Sequence, residues 1–328
     1  MTTDTLVGIE AIRKAADRLR GVLARTPLVP FDAPPERAFV KAENLQPIGA
    51  FKIRGAFNAI ASLAEDERAR GVITYSSGNH GQGVARAARL LGTSAVVVMP
   101  DDAPAIKRDR IARDGAEIVT VGPASDERQA RAEAIAAERG LAIIPPFDDD
   151  RIIAGQGTIG LEIVDDLPDL ALVLVPIGGG GLASGVATAV KAFRPDVRVV
   201  GVEPELAADA RDSLERGEIV RWATADVSRT IADGTRTQSL GERTFAHLRA
   251  HLDGVITVSE GEIAAGVRLA AERARLVVEP SGALTIAALV FHGSMLGSGP
   301  VGDVVAVASG GNVDPDAYRR YLEAPLPG

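Results

Sequence analysis

The chain has 328 residues, a net charge of −8 and an isoelectric point near 5.2. It lacks a basic stripe with interleaved aromatic residues, which argues against nucleic acid as a partner. The absence of cysteine excludes disulfides, thiolate metal sites and cysteine nucleophiles. Apolar residues make up 46% of the chain and charged residues 24%, a composition typical of one or two ordinary α/β domains.

The N-terminal segment, residues 8–30, carries charged residues among apolar ones at helical spacing. This pattern predicts an amphipathic helix and not a signal peptide. No run of about 18 uncharged apolar residues follows, so we expect no membrane span. A cytoplasmic location is therefore the expectation.

Short apolar runs rich in β-branched residues alternate with helical patterns along most of the chain, as expected for strands buried on both faces. One helical pattern starts at Ser125 and stops at Gly140. Strands that alternate with helices predict α/β architecture with mostly parallel sheets between helical layers. The predicted strands cover residues 71–75, 94–100, 117–122, 171–177, 197–203 and 303–309.

The strand and helix patterns between residues 71 and 148 form one compact set, which ends at a break rich in Pro and Asp at residues 143–150. We predict a small domain over residues 71–148. Residues 1–70 and 149–328 would form a larger domain. A cleft between two such domains is where a ligand is expected.

Lys52 lies beside Phe51 in the mostly apolar segment 47–60. A solvated lysine is one interpretation of this position. A lysine held in a cleft, where it can form a Schiff base, is the other. The segment alone does not decide between them, because the decision depends on what other segments place near Lys52.

Four consecutive glycines, Gly178 to Gly181, connect a predicted strand to a predicted helix. Their backbone N–H groups can converge on an anion at the positive end of the helix. No Lys-Ser/Thr pair follows, so this is not a Walker A loop. A flexible turn is the alternative, although four glycines carry a large entropic cost for a turn alone. We therefore predict a phosphate site.

Another strand-to-helix turn carries Ser76, Ser77, Asn79 and His80. One of these residues could be a simple helix cap. Four polar side chains exceed what a cap needs, and hydroxyls with exposed N–H groups suit a small anion such as a carboxylate. A zinc-binding role for His80 is disfavoured, because the chain has only four histidines and none at ligand spacing from it.

Ser309 ends the last predicted strand and precedes Gly310 and Gly311. It can cap the following segment. Alternatively, it presents a neutral hydroxyl at the carboxyl edge of the sheet, where ligands bind in α/β proteins.

These turns belong to a series of short motifs that occur in order along nearly the whole chain. Together they resemble the pyridoxal-phosphate (PLP) enzymes of fold type II, the tryptophan-synthase-β type, and within them the serine/threonine dehydratases and serine racemases. The resemblance implies two three-layer αβα domains, a cofactor in the interdomain cleft and a homodimer. The motifs are RTPL (25–28), KAENLQ (41–46), FKIRGA (51–56), SSGNHGQ (76–82), AGQGTI (154–159), PIGGGGLASG (176–185), TIADG (230–234), EPSGA (279–283) and SGGNVD (309–314).

The same resemblance implies a set of cofactor contacts. Lys52 would bind covalently to the cofactor aldehyde, and Phe51 would pack against the pyridine ring. Asn79 would donate to the 3′ oxygen, and Ser309 would contact the ring nitrogen. The phosphate would be held by Gly178, Gly179, Gly180, Gly181 and Leu182.

A neutral hydroxyl at the ring nitrogen favours β-elimination, because it does not stabilise a long-lived carbanion as an aspartate would. Lys52 would be the base that removes the Cα proton. We therefore expect a dehydratase that converts a β-hydroxy amino acid to a 2-oxo acid and ammonia. The resemblance places Ser77 on the opposite face of the cofactor, where racemases have a second proton donor, so serine racemase is the alternative.

For the substrate, the resemblance implies carboxylate contacts from Ser76, Asn79, His80 and Arg128. Ala50 departs from the family, which usually has Ser or Thr two residues before the lysine. The missing hydroxyl is expected to enlarge the pocket or remove a polar contact. Threonine, serine, 3-hydroxyaspartate and bulkier β-hydroxy amino acids therefore remain open as substrates.

Glu203, the carbonyl of Ala207 and Asp209 match the spacing at which racemase-like members bind Mg²⁺ or Ca²⁺. Two carboxylates, a carbonyl and waters suit a hard cation. A solvated acidic loop is the alternative. The sequence ends at Gly328, without the additional regulatory domain of feedback-controlled family members, so we expect an unregulated or catabolic enzyme.

Overall fold

The computed structural model describes residues 6–34, 37–76, 78–101, 103, 105–122, 125–293 and 302–327. The strands are β1 (Leu28–Phe31), β2 (Ala38–Ala42), β3 (Val72–Thr74), β4 (Ala95–Pro100), β5 (Glu117–Val121), β6 (Ala142–Ile143), β7 (Leu170–Pro176), β8 (Arg198–Pro204), β9 (Gly254–Val258) and β10 (Asp303–Ala308).

The α-helices are α1 (Ile9–Leu19), α2 (Lys52–Ala61), α3 (Glu65–Arg70), α4 (Asn79–Leu90), α5 (Ala105–Arg113), α6 (Ser125–Arg139), α7 (Asp150–Asp166), α8 (Gly181–Phe193), α9 (Asp209–Arg216), α10 (Thr224–Val227), α11 (Glu242–His251), α12 (Glu260–Leu269), α13 (Pro280–Phe291) and α14 (Pro315–Leu322). Short 3₁₀ turns cover Glu43–Leu45, Glu205–Ala207 and Asp233–Thr235, and a π-helix covers Ala270–Ala274.

The strands form two sheets. The larger sheet has the order β1-β2-β10-β7-β8-β9, in which only the β1–β2 pair is antiparallel. The smaller sheet has the order β5-β4-β3-β6 and is parallel. The structure therefore confirms the predicted α/β class with mostly parallel sheets, the architecture of fold type II.

All six predicted strands are confirmed, as β3, β4, β5, β7, β8 and β10. The expectation of burial on both faces is wrong for β5, where every residue is partly or fully exposed. β5 lies at the edge of the smaller sheet and has a neighbouring strand on one side only. Its side chains are therefore more open to solvent than those of the central strands. The α6 pattern is also confirmed and stops at Gly140, whose φ of +67° suits glycine.

The N-terminal amphipathic helix is confirmed as α1, whose apolar stripe of Ile12, Ala15 and Leu19 is buried. No helix among the described residues is both long and apolar enough to cross a bilayer.

α2 packs against both α4 and α7. One apolar cluster joins Ile53 of α2 with Val72 of β3, Val84 of α4 and Ile152 of α7. All strands of the smaller sheet lie between Val72 and Ile143. The limits of the two domains, 71–148 for the small one, stay a prediction.

Candidate active site

The carboxyl ends of three neighbouring strands of the larger sheet meet at one edge. β2 leads to α2 and Lys52, β10 leads to Ser309, and β7 leads to the glycine loop, Gly178 to Gly181. Because β2, β10 and β7 run parallel, their ends bring these segments together although they are more than 100 residues apart in sequence. Ligands bind at such edges in α/β sheets.

The segments that carry Lys52 and Ser309 are joined by backbone contacts. The N–H of Phe51 donates to the Ser309 carbonyl at 3.0 Å, and the N–H of Gly311 donates to the Gly49 carbonyl at 2.8 Å. Ala50 forms an isolated antiparallel bridge with Gly310 and is fully buried. Ala50 is not among the residues that line the adjacent cavity. Its effect on the choice of substrate, through a larger pocket or a lost polar contact, stays a prediction.

A cavity of about 700 Å³ lies at this edge. It brings together every cofactor and substrate residue predicted from the sequence that the structure describes. Ser77 lies outside the described residues. The predicted residues that line the cavity are Phe51, Lys52, Ser76, Asn79, His80, Arg128, Gly178, Gly179, Gly180, Gly181, Leu182 and Ser309.

Lys52 is the first residue of α2 and is partly buried against the cavity wall. Its Nζ donates to the Pro146 carbonyl at 2.7 Å and lies 5.1 Å from the centre of the Phe51 ring. It forms no ion pair with an Asp or Glu of the described residues. Desolvation lowers the pKa of Lys52 from 10.5 to about 8. A lysine with this surrounding suits a reactive amine better than a structural ion pair.

The glycine loop has backbone geometry that other residues would not accept. Gly180 has φ of +90°, and a Cβ there would lie 2.9 Å from Thr244 Cβ. A Cβ on Gly179 would overlap the ring of Phe147. α8 begins at Gly181 and runs for 13 residues, so its positive end faces the loop. The loop is therefore a cradle for an anion, with Phe147 closing one side.

The N-terminus of α4 offers backbone N–H donors. Asn79 is its first residue, and the Ser76 hydroxyl accepts from the Gly78 N–H at 3.4 Å. His80 is buried, and its Nε2 is 3.0 Å from the Ile144 carbonyl. Desolvation, with a further effect from Lys52, lowers the pKa of His80 to about 3.

The His80 ring is thus neutral, and its single N–H is donated to Ile144, because a carbonyl can only accept. The ring has no N–H left for a carboxylate. A contact between His80 and the substrate carboxylate stays a prediction, and the backbone N–H of His80 is the group that can make it.

Ser309 is buried at the end of β10, and its hydroxyl makes one long hydrogen bond, at 3.4 Å, to the Ser281 carbonyl. This weak contact leaves the hydroxyl able to bond a ligand. A lysine without a carboxylate partner, an anion cradle and a neutral hydroxyl on one cavity fit the amine-reactive aldehyde, the phosphate and the ring nitrogen of PLP.

The family profile described as pyridoxal-phosphate dependent enzyme matches residues 19–310. The chain belongs to this family. It is 41% identical over 312 residues to the L-threo-3-hydroxyaspartate ammonia-lyase of Saccharomyces cerevisiae, covering 94% of each chain. It is 44% identical over 319 residues to the L-threonine ammonia-lyase of Geobacter sulfurreducens, covering 96% of this chain and 78% of that one. The structure of maize serine racemase superposes with a TM-score of 0.90 at 34% identity, covering 97% and 98% of the two chains.

Within this PLP-dependent enzyme, Glu279 is a residue that the sequence did not single out for function. It is buried at the start of α13 and lines the cavity. Its Oε1 accepts from Asn79 Nδ2 at 2.7 Å, and its Oε2 accepts from the Asn312 N–H at 3.1 Å. Desolvation, together with the charge of Asp233, raises the pKa of Glu279 to about 7. The motif EPSGA contains this glutamate, but nothing in the motif identifies partners 200 residues away.

A buried ion network supports the start of α2. Arg54 donates from Nη2 to Glu43 Oε1 at 2.8 Å and from Nη1 to Glu162 Oε1 at 2.6 Å. Lys41 donates to Glu162 Oε2 at 2.6 Å. Burial alone would raise the pKa of Glu43, but Arg54 lowers it below its usual value. Glu43 is therefore ionised, and together Glu43 and Glu162 hold Arg54 two residues from Lys52.

The predicted metal site lies apart from the cavity, at the carboxyl end of β8. Glu203 accepts from the backbone N–H groups of Ala210 and Arg211 at 3.0 and 2.8 Å. Asp209 is buried, and neither carboxylate oxygen has a hydrogen-bond partner among the described residues. Ala207, which lies between Glu203 and Asp209 in the sequence, is also buried. No group of three or more Asp, Glu, His or Cys side chains placed to hold a metal ion occurs in the described part of the chain.

An unpartnered buried carboxylate is costly without a counter-charge. Asp209 and Glu203 therefore fit a hard cation with one carbonyl and waters completing its shell. Occupancy by Mg²⁺ or Ca²⁺ remains a proposal.

Proposed function

We propose that this PLP-dependent enzyme is an ammonia-lyase that converts a β-hydroxy amino acid, such as L-threonine or L-serine, to a 2-oxo acid and ammonia. The observation that carries this proposal is the single cavity shared by Lys52, the glycine loop and Ser309. Relatives with L-threonine ammonia-lyase activity in their names support it.

PLP, when bound, supplies an electron sink at the Cα of the amino acid. The protein supplies the proton transfers. Lys52 has a pKa near 8, so a substantial part of its amine is free at mildly alkaline pH, and a free amine can take the Cα proton. Its carbonyl partner, Pro146, holds Nζ at the cavity wall.

The substrate carboxylate has a binding place at the start of α4. The backbone N–H groups of the first helical turn have no intrahelical acceptor, and the Ser76 hydroxyl adds a donor. The 12-residue helix adds positive potential. This arrangement would orient the Cα–H bond toward Lys52.

Ser309 favours elimination over reactions that need a long-lived carbanion, because a neutral hydroxyl does not force protonation of the ring nitrogen. The hydroxyl on Cβ then leaves as water together with the Cα proton. The resulting enamine hydrolyses to the 2-oxo acid and ammonia, which balances the reaction.

The test is a screen for ammonia release by the purified holoenzyme across β-hydroxy amino acids, in parallel with the Lys52→Ala variant. We expect activity in the wild-type protein and none in the variant. Reduction with borohydride followed by peptide mass spectrometry should place the cofactor on residue 52. An adduct on another lysine would refute the site assignment.

A second candidate substrate is 3-hydroxyaspartate. Arg128, Arg221 and Arg236 line the same cavity, and a second carboxylate on the substrate would need such a cation. A yeast relative bears the name L-threo-3-hydroxyaspartate ammonia-lyase. The ratio of kcat/KM for L-threo-3-hydroxyaspartate and L-threonine decides between the two substrates.

Racemisation stays an alternative prediction that depends on Ser77, which lies outside the described residues. Formation of D-serine from L-serine, measured beside ammonia release, tests it. A homodimer, a cytoplasmic location and a bound Mg²⁺ or Ca²⁺ are likewise carried forward as predictions; light scattering of the purified protein tests the first of them.

A further inference from the structure

Arg110 links the two sheets next to the cavity. It lies on α5, which follows β4 of the smaller sheet. Its Nη1 donates to Asn312 Oδ1 at 2.8 Å. Asn312 follows β10 of the larger sheet, three residues after Ser309. Both Arg110 and Asn312 line the cavity, so this hydrogen bond crosses between its two sides.

The orientation of the Asn312 side-chain amide is fixed by its partners. Its Nδ2 donates to the Ile48 carbonyl at 2.8 Å, and its Oδ1 accepts from Arg110. A carbonyl can only accept and a guanidinium can only donate. Flipping the Asn312 amide would therefore place donor against donor and acceptor against acceptor.

Asn312 in turn fixes Asn79. The second N–H of Asn312 Nδ2 is directed to Asn79 Oδ1 at 2.8 Å. Asn79 Nδ2 donates one of its two hydrogens to Glu279 Oε1. The other hydrogen of Asn79 Nδ2 has no partner among the described residues and belongs to a side chain that lines the cavity. This remaining N–H is the donor that the proposed cofactor contact requires.

We propose that Arg110 is a positioning residue that orients the Asn79 amide through Asn312, so that one N–H of Asn79 faces the cofactor. This inference rests on the proposed function, since it needs PLP in the cavity. It assigns a role in the cofactor site to a residue on α5 that acts through the side chain of Asn312.

A second contact from the same helix supports this link. Lys107, one turn before Arg110, pairs with Asp233 at 3.1 Å, and both side chains are partly exposed. Asp233 precedes the segment Gly234–Thr235 that packs on Gly178 of the glycine loop. α5 therefore contacts the larger-sheet side of the cavity at two points. A displacement of α5 would break the Arg110 hydrogen bond and release the amide of Asn312.

The experiment compares Arg110→Ala, Arg110→Lys and the control Arg113→Ala, which removes an exposed arginine at the end of the same helix. The readouts without substrate are the visible absorption and fluorescence of bound PLP and its dissociation constant. We expect Arg110→Ala to change the spectrum and raise the dissociation constant about tenfold, the effect of one lost charge-assisted hydrogen bond. Arg110→Lys should recover most of this loss, and Arg113→Ala should match the wild-type protein.

A double-mutant cycle separates positioning from general destabilisation. Because Arg110 acts through Asn312, the double variant Arg110→Ala/Asn312→Ala should bind PLP as Asn312→Ala alone does. Additive effects of the two substitutions, or a wild-type spectrum and affinity in Arg110→Ala, would overturn the positioning role. A wild-type protein that binds no PLP would instead refute the proposed function, and this inference with it.

Discussion

Gly180 is the residue at which the anion cradle can be tested most directly. Its φ of +90° lies in the left-handed region, and a Cβ there would lie 2.9 Å from Thr244 Cβ and 3.0 Å from Leu240 Cδ2. Gly180→Ala therefore imposes two separate costs, one on the backbone and one on packing. It also moves the N–H groups that we propose bind the phosphate.

The two costs can be estimated separately. An alanine in the left-handed region costs about 1–2 kcal/mol, and overpacking of a tight core site costs about 1–3 kcal/mol. Gly180→Ala should thus lower the free energy of unfolding by roughly 2–5 kcal/mol. A loop displaced to relieve the contacts should also weaken PLP binding by at least about tenfold, since it loses aligned donors.

Gly217 provides a matched control. It has φ of +74° at the end of α9, and a Cβ there would meet nothing within 4 Å. Gly217→Ala should cost only the backbone part, about 1–2 kcal/mol, and leave PLP affinity unchanged. Urea unfolding of the apoprotein and fluorescence titration with PLP measure the two quantities for both variants. If the two variants lose equal stability and both keep wild-type PLP affinity, the glycine loop is not a packed phosphate cradle.

Three further predictions follow from buried carboxylates. Folding raises the pKa of Glu279 from 4.5 to about 7, so the folded protein favours the protonated form. The stability of wild type relative to Glu279→Gln should therefore be greatest below pH 4.5 and fall by roughly 3 kcal/mol as pH rises to about 7. A stability difference in thermal unfolding that does not change across this range contradicts the burial argument. Glu162→Gln removes one partner of Arg54 and Lys41 and should lower the free energy of unfolding in urea by about 3–5 kcal/mol. The control Arg13→Ala, at the exposed pair with Glu10, should lower it by less than about 1 kcal/mol. Similar losses in the two variants would show that the buried network does not stabilise the fold. Mg²⁺ or Ca²⁺ should raise the melting temperature of wild type but not of Asp209→Asn, and an equal rise in both would place the cation elsewhere.

The fold was largely predictable because the buried strands are continuous apolar runs. β2 was not predicted, since Lys41 interrupts its apolar character; the structure buries this lysine completely against Glu162. β1 contains Pro30, and β6 has only two residues, so neither carries a readable pattern. β2 and β6 pair with β10 and β3, which lie far away in sequence, and periodicity does not record such pairing.

The candidate site was predictable where its chemistry lies in one short segment. Lys52, the glycine loop and the polar turn before α4 each have a local signature. The roles of Glu279, Asn312 and Arg110 depend on contacts between segments far apart in sequence, and the neutral state of His80 depends on burial. A single sequence shows the residue types at these positions but neither their partners nor their protonation.

The backbone contacts between Phe51 and Ser309 and between Gly49 and Gly311 make the lysine and the buried serine parts of one unit. A shift of either segment would move the other, so the positions of the amine and the hydroxyl are coupled. Attempts to broaden substrate choice should therefore leave residues 49–52 and 309–311 intact. Other residues that line the cavity, such as Arg128, Arg221 and Arg236, are the positions to vary, because they lie outside the two joined segments.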